Sequence, residues 1–104
     1  MLKWIAVFDP NEVKDYARDW TNEMNSFNDE LNSVDFNLKT PNSGLSVQSN
    51  DIDATGKIAI VWFAAADIPL LTSFAGQVIE IDHTITTVGG RTYNETLGLR
   101  IKEK

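Results

Sequence analysis

Apolar and polar positions alternate most clearly in the C-terminal third of the chain. From Gln77 to Thr87, Ile79, Ile81, His83 and Ile85 share one face, and Glu80, Asp82, Thr84 and Thr86 share the other. That period of two predicts a strand with one buried side. Val88-Gly89-Gly90-Arg91 turns the chain, and the glycine pair predicts a primed hairpin turn with positive φ angles. The return strand directs Tyr93, Leu97, Leu99 and Ile101 inward and Thr92, Asn94, Thr96, Arg100 and Lys102 outward. A two-stranded hairpin of this length needs a further sheet against its apolar face.

Earlier in the chain the strand signals are shorter. Residues 2–8 are aromatic and β-branched and predict a strand ended by Asp9-Pro10-Asn11-Glu12. Residues 21–35 are polar and loop-like. Phe36–Lys39 and Leu45–Ser49 predict short strands on either side of Thr40-Pro41-Asn42-Ser43-Gly44, a dense turn signal. Residues 50–56 predict another turn. Lys57–Ala65 is apolar enough to predict a strand buried on both faces. Residues 67–75, with Pro69, Leu70, Leu71 and Phe74, form an apolar connection of no obvious type.

The segment after Asp9 has two readings. Asp9 as N-cap, Pro10 at the first helical position and Glu12 at the third spell a capping box. Val13, Tyr16, Ala17 and Trp20 then fall at i, i+3, i+4 and i+7 of a short amphipathic helix within 10–24. With period two, Lys14, Tyr16, Arg18 and Trp20 share one face of a strand and Val13, Asp15, Ala17 and Asp19 the other. Local pattern leaves both open. About seven strands with turn signals between them predict an all-β fold, an antiparallel β-sandwich. A chain of 104 residues with no linker or internal repeat predicts one domain over 1–104.

Composition narrows the chemistry more than it defines it. Nine Lys+Arg against 15 Asp+Glu leave a net charge of −6, which argues against a nucleic-acid-binding face. Eight of the 15 acids lie between Asp9 and Asp35. With no cysteine, disulfides and thiolate ligands are excluded, and the single histidine excludes a His-pair metal site. The longest apolar run, Ile58–Ala66, is nine residues, about half of a membrane span, and the start lacks a signal-peptide core. The expectation is a protein made in a cytoplasm, without a membrane partner.

Candidate chemistry is sparse. Asp51-x-Asp53-x-Thr55-Gly56 matches the opening of a calcium loop, but its twelfth position is Trp62 rather than a bidentate Glu, so a solvated turn accounts for it better. His83 could act as a general base, yet no nucleophile or acid is identifiable beside it, and a core histidine bonded to a neighbour is the simpler account. Carboxylate pairs such as Asp29-Glu30 sit in polar surroundings that would not raise a pKa. No phosphate loop or nucleophile elbow occurs. The expectation is a protein without enzymatic activity, cofactor or metal. Trp4, Trp20 and Trp62 are expected to anchor the core. The segment from Trp62 to Phe74 carries unusually many large apolar residues, and Trp62, Phe63, Leu70, Leu71 and Phe74 are the candidate partner-binding residues.

Two blocks resemble a group of small tailed-phage virion structural proteins, often labelled phage fibre proteins. The first is Phe8-Asp9-Pro10-Asn11-Glu12-Val13-Lys14-Asp15-Tyr16-Ala17-Arg18-Asp19-Trp20. The second runs from Ile85-Thr86-Thr87-Val88-Gly89-Gly90-Arg91-Thr92-Tyr93 through Leu97-Gly98-Leu99-Arg100-Ile101-Lys102-Glu103. Between them Leu31 to Phe36, Pro41 with Gly44-Leu45-Ser46-Val47, and Val61-Trp62 follow in the expected order, and together these segments cover a little under half the chain. Arg18 departs from the family in standing where an apolar residue is usual, and Ala66–Gln77 exceeds the usual connection. The resemblance implies a single immunoglobulin-like β-sandwich of about seven strands and therefore a strand over 13–20. It also implies a place in the virion. The leading version is a capsid cement or decoration protein, docked in many copies as a homo-oligomer on major capsid or neck proteins. The alternatives are a fibre or adhesin module that recognises host-surface glycan, and a small inhibitor of a host defence complex.

Overall fold

The computed structural model describes residues 2–40 and 42–102, with side chains from residue 6 onward. Seven strands and two short helices follow one another as β1 (Leu2–Phe8), β2 (Lys14–Asp19), α1 (Thr21–Ser26), β3 (Leu31–Leu38), β4 (Leu45–Ile52), β5 (Ile58–Ala65), α2 (Ile68–Thr72), β6 (Val78–Thr87) and β7 (Thr92–Ile101). They form a four-stranded sheet in the order β1-β7-β6-β3 and a three-stranded sheet in the order β2-β5-β4. All pairings are antiparallel except β1 with β7, which run parallel from Leu2↔Thr96 to Phe8↔Ile101. The sheets face one another across one apolar cluster that draws on both, including Phe8, Val34, Phe36, Val61, Phe63, Ile79, Ile81, Ile85, Leu97, Leu99 and Ile101. This is the β-sandwich expected from the strand count.

The β6–β7 hairpin carries most of the alternation seen in the sequence. Ile79, Ile81, His83 and Ile85 are fully buried, as are Leu97, Leu99 and Ile101 opposite. The connecting turn differs from expectation. Only Gly90 has a positive φ, 90°. The Gly90 N–H donates to the Thr87 carbonyl at 3.0 Å, and the Thr87 N–H donates to the Arg91 carbonyl at 2.8 Å. That is a three-residue loop with glycine in the left-handed position, not a primed two-residue turn.

The ambiguous segment resolves as strand. Asp9, Pro10, Asn11 and Glu12 do not cap a helix. The Glu12 N–H donates to the Asp9 carbonyl at 2.9 Å and the Asn11 N–H to the Asp9 carboxylate at 2.9 Å, closing a turn with Pro10 at its second position. The chain then enters β2, whose ladder runs along β5 from Lys14↔Phe63 to Asp19↔Ile58. The only helix in this region is α1, six residues long, beginning after Trp20 and burying Met24.

Other expectations need correction. Residues 21–35 are not loop throughout, because α1 occupies their start and β3 begins at Leu31. The turn expected over 50–56 shrinks to 53–56, since β4 continues to Ile52. There the Asp53 carboxylate accepts from the Thr55 hydroxyl at 2.7 Å and the Ile58 N–H at 3.2 Å. The apolar connection holds α2, whose first turn is capped by the Asp67 carboxylate accepting from the Leu70 N–H at 3.1 Å. Gly44 makes this docking feasible: a Cβ there would stand 2.7 Å from the Asp67 carbonyl and 2.8 Å from the Leu71 nitrogen. Finally, β5 is not buried on both faces. Ala59, Val61 and Phe63 are fully buried, whereas Ile58 and Ile60 are half-buried and Trp62 is 40% exposed. The anchoring expected of Trp4 falls outside the described side chains.

Candidate functional site

The sandwich interior contains a polar cluster beside the aliphatic core. On β2, Tyr16, Arg18 and then Trp20 point inward, so Arg18 lies between the sheets with its side chain only 11% exposed. Its guanidinium is engaged on every side. Nε donates to Glu95 at 3.0 Å, an Nη to Glu23 at 2.9 Å, and the other Nη to the Asp19 carbonyl. The Trp20 ring lies beneath it, 3.9 Å from ring centroid to guanidinium carbon. Glu95 was not singled out in the sequence, although the parity of Tyr93 and Leu97 puts it on the inward face of β7.

Trp20 links this pair to the buried histidine. Its indole N–H donates to His83 Nε2 at 3.2 Å, and His83 Nδ1 donates to the Asp35 carbonyl at 3.0 Å. Phe36 stacks on the imidazole with centroids 4.0 Å apart. One ring nitrogen accepting and the other donating is the neutral tautomer with both positions filled. Burial, together with the nearby Arg18 charge, lowers the His83 pKa below its usual value, while the bond to the Asp35 carbonyl opposes the shift. His83 is thus a bonded core histidine, the simpler of its two expected accounts. A cleft of about 560 Å3 opens above the cluster, lined by Arg18, Trp20, Glu23, Tyr93, Asn94, Glu95 and Thr96. Its ionised groups are already paired with one another.

A second polar knot closes one end of the sandwich. Asp29 accepts from the Glu30 and Gly89 N–H groups, each at 2.9 Å, and from Arg91 at 3.0 Å. With the Thr87 hydroxyl as the main contributor, these donors pull its pKa down to about 2. Arg91 also lies over the Phe27 ring at 4.2 Å. Phe27 and Val88 remain 52% and 69% exposed at this end.

The five expected partner-binding residues separate. Phe63 and Leu71 are fully buried, so they hold the core and are out of a partner's reach, a correction to the sequence reading. Phe74 packs partly buried against the core. Only Trp62 and Leu70 present substantial surface, Leu70 on α2 next to exposed Ile68. Trp62 belongs to a group that the uniformly apolar β5 sequence concealed. Ile58, Ile60 and Trp62 lie on the outward side of the three-stranded sheet, where Asp19 pairs with Ile58, Asp15 with Trp62, and Asp51 with Ile60. This face combines exposed Trp62 and half-buried Ile58 and Ile60 with flanking carboxylates, of which Asp19 and Asp51 accept from the Thr21 and Ile52 N–H groups at 2.8 Å.

Residues 9–100 match the family model described as "Podophage GP4 fiber-tail adaptor protein gp77". No curated protein matches the chain. The match runs from the turn after β1 to the penultimate residue of β7, so it takes in nearly the whole sandwich. The chain belongs to this podophage fibre–tail adaptor family and is a structural protein of a tailed-phage virion. Nothing in the match points to a capsid cement or decoration role; of the particle roles expected from the sequence, the fibre-related one lies closer.

Proposed function

We propose that this member of the fibre–tail adaptor family joins a fibre protein to the tail of a podophage particle and does so without catalysis. The observation that carries the reading is the family match over residues 9–100. The state of the polar residues agrees with it. His83, the one histidine weighed as a general base, and the Arg18–Glu95 pair near it are engaged by Trp20, Glu23, each other and the backbone. Exposed apolar side chains, by contrast, occur in separate places: Trp62 on a sheet face, Ile68 and Leu70 on α2, and Phe27 with Val88 at the end near the β6–β7 turn. A joint between two proteins requires more than one contact surface, and the spread of these groups supplies candidates.

The strand order also supports an immunoglobulin-like reading of the sandwich. The sheets β2-β5-β4 and β3-β6-β7 repeat the B-E-D and C-F-G order of that fold, with β1 added in parallel at β7. The fold carries no disulfide, since the chain has no cysteine.

The test is genetic and compositional. Particles made without this chain are expected to retain filled heads and tails but to lack fibres by electron microscopy and by mass spectrometry of purified virions. Fibres attached at the normal number in its absence would refute the reading.

A further inference from the structure

The outward side of the three-stranded sheet is apolar along its middle and carries carboxylates on both flanks, two on β2 and one, beside Ser46 and Ser49, on β4. Ile58, Ile60 and Trp62 form the middle on β5, with Asp15 and Asp19 on one side and Asp51 on the other. The basic residues nearby are all turned elsewhere. Lys14 lies near the Tyr16 ring on the opposite side of β2, Arg18 is held between the sheets by Glu95, and the Lys57 ammonium donates to Asn25 on α1 at 2.6 Å. Charge is therefore sorted across β2, with its carboxylates outward and its cations inward.

We infer that this face docks on a virion protein whose matching surface is an apolar patch bordered by Lys or Arg; the inference rests on the adaptor reading above. Charge complementarity selects the occupant. A second copy of the chain, placed face to face, would bring Asp15, Asp19 and Asp51 of both copies around one apolar centre, and juxtaposed like charges oppose such a contact. A wholly apolar partner would cover Trp62 and Ile60 but strip water from three carboxylates and offer them nothing in return. A basic-rimmed patch covers the apolar strip and pairs the flanks at once. Such a rim also speeds encounter with the acidic chain, at a rate that falls as salt rises.

The experiment is photo-crosslinking in assembled particles, with benzoylphenylalanine in place of Trp62, followed by mass spectrometry of the linked peptides. The expected product joins position 62 to a tail or fibre protein within a segment carrying Lys or Arg beside apolar residues. In a parallel arm, phage carrying Asp15→Lys with Asp51→Lys is expected to hold at least tenfold less of this chain per particle, while the purified variant keeps the wild-type thermal midpoint within a few degrees. Crosslinks from position 62 only to another copy of this chain, or none there while position 70 gives them, would overturn the inference. So would normal incorporation of the charge-reversed chain. Absence of the chain from wild-type particles is a different result and removes the adaptor reading as well.

Discussion

The two sides of the three-stranded sheet reverse the usual arrangement of polar and apolar groups. Its inner side, facing the core, carries Arg18, which pairs with Glu95 of the facing sheet beside the Trp20–His83 bond. Its outer side, facing solvent, carries Ile60 and a 40% exposed Trp62. The difference lies in how the groups are satisfied. Inside, every buried polar side-chain atom among the described residues has a hydrogen-bond partner, so the polar groups are locked and contribute specificity of packing. Outside, the apolar groups have nothing above them in the monomer, so their free energy is available only to an associated molecule. Free apolar surface of this kind is what the proposed docking would use.

Neighbouring residues on β5 allow the sharpest comparison. Phe63→Ala removes a fully buried ring in contact with Phe8 and Tyr16, and should cost about 4 kcal/mol in urea unfolding. For a domain whose total stability is on the order of 5–15 kcal/mol, that is a large share. Glu95→Ala leaves the Arg18 guanidinium without its best partner in a site where both side chains are about a tenth exposed. A loss of about 3 kcal/mol is expected, and it should change little with salt, unlike a surface pair. A loss below 0.5 kcal/mol would show the cluster to be as dispensable as an exposed ion pair.

Mild acid should act first on the inner side, through His83. The folded His83 binds its proton at lower pH than the unfolded chain, where the usual value is 6.5. Between the two values the unfolded state holds more protons, so stability falls as pH falls below about 6.5, with a slope of no more than about 1.4 kcal/mol per pH unit. Protonation would also put an N–H against the Trp20 indole N–H. The check is the unfolding midpoint from pH 7 to pH 5, together with the quenching of Trp20 fluorescence; His83→Gln should flatten the slope in that window. Asp29 acts lower. Its folded pKa of about 2 lies under the usual 3.8, so its contribution is complete above that usual value and fades as pH falls towards 2. The smallest effect is expected outside: Trp62→Ala should move stability by less than about 0.5 kcal/mol while lowering the amount of this chain recovered in particles.

The alternation in β6 and β7 made the hairpin and its inward face readable residue by residue, because a strand with one dry side repeats every two positions whatever it packs against. The same rule contained Glu95, whose parity with Tyr93 and Leu97 placed it inside; its charge alone kept it from being counted there. The Trp62–Phe74 segment was legible as unusually apolar but not as a surface. In a run such as Ile58–Ala65, both parities are apolar, so the pattern cannot say which side meets the other sheet. Phe63 and Trp62 consequently received the same expectation and have opposite places.

By itself the sequence determined the β-rich class, the approximate strand count, the absence of thiol and multi-histidine chemistry, and the motifs shared with a phage structural family. These depend on residue type and short-range spacing. For residues 14–19 the local pattern left helix and strand open and the family resemblance implied strand; the tertiary structure shows why, because the ladder to β5 and the burial of Trp20 outweigh a capping box whose groups close a turn equally well. The tertiary structure alone paired Arg18 with Glu95 across 77 residues of chain, and chose which side of β5 faces water. Long-range pairing has no local signature, since its energy exists only once the two sheets have met.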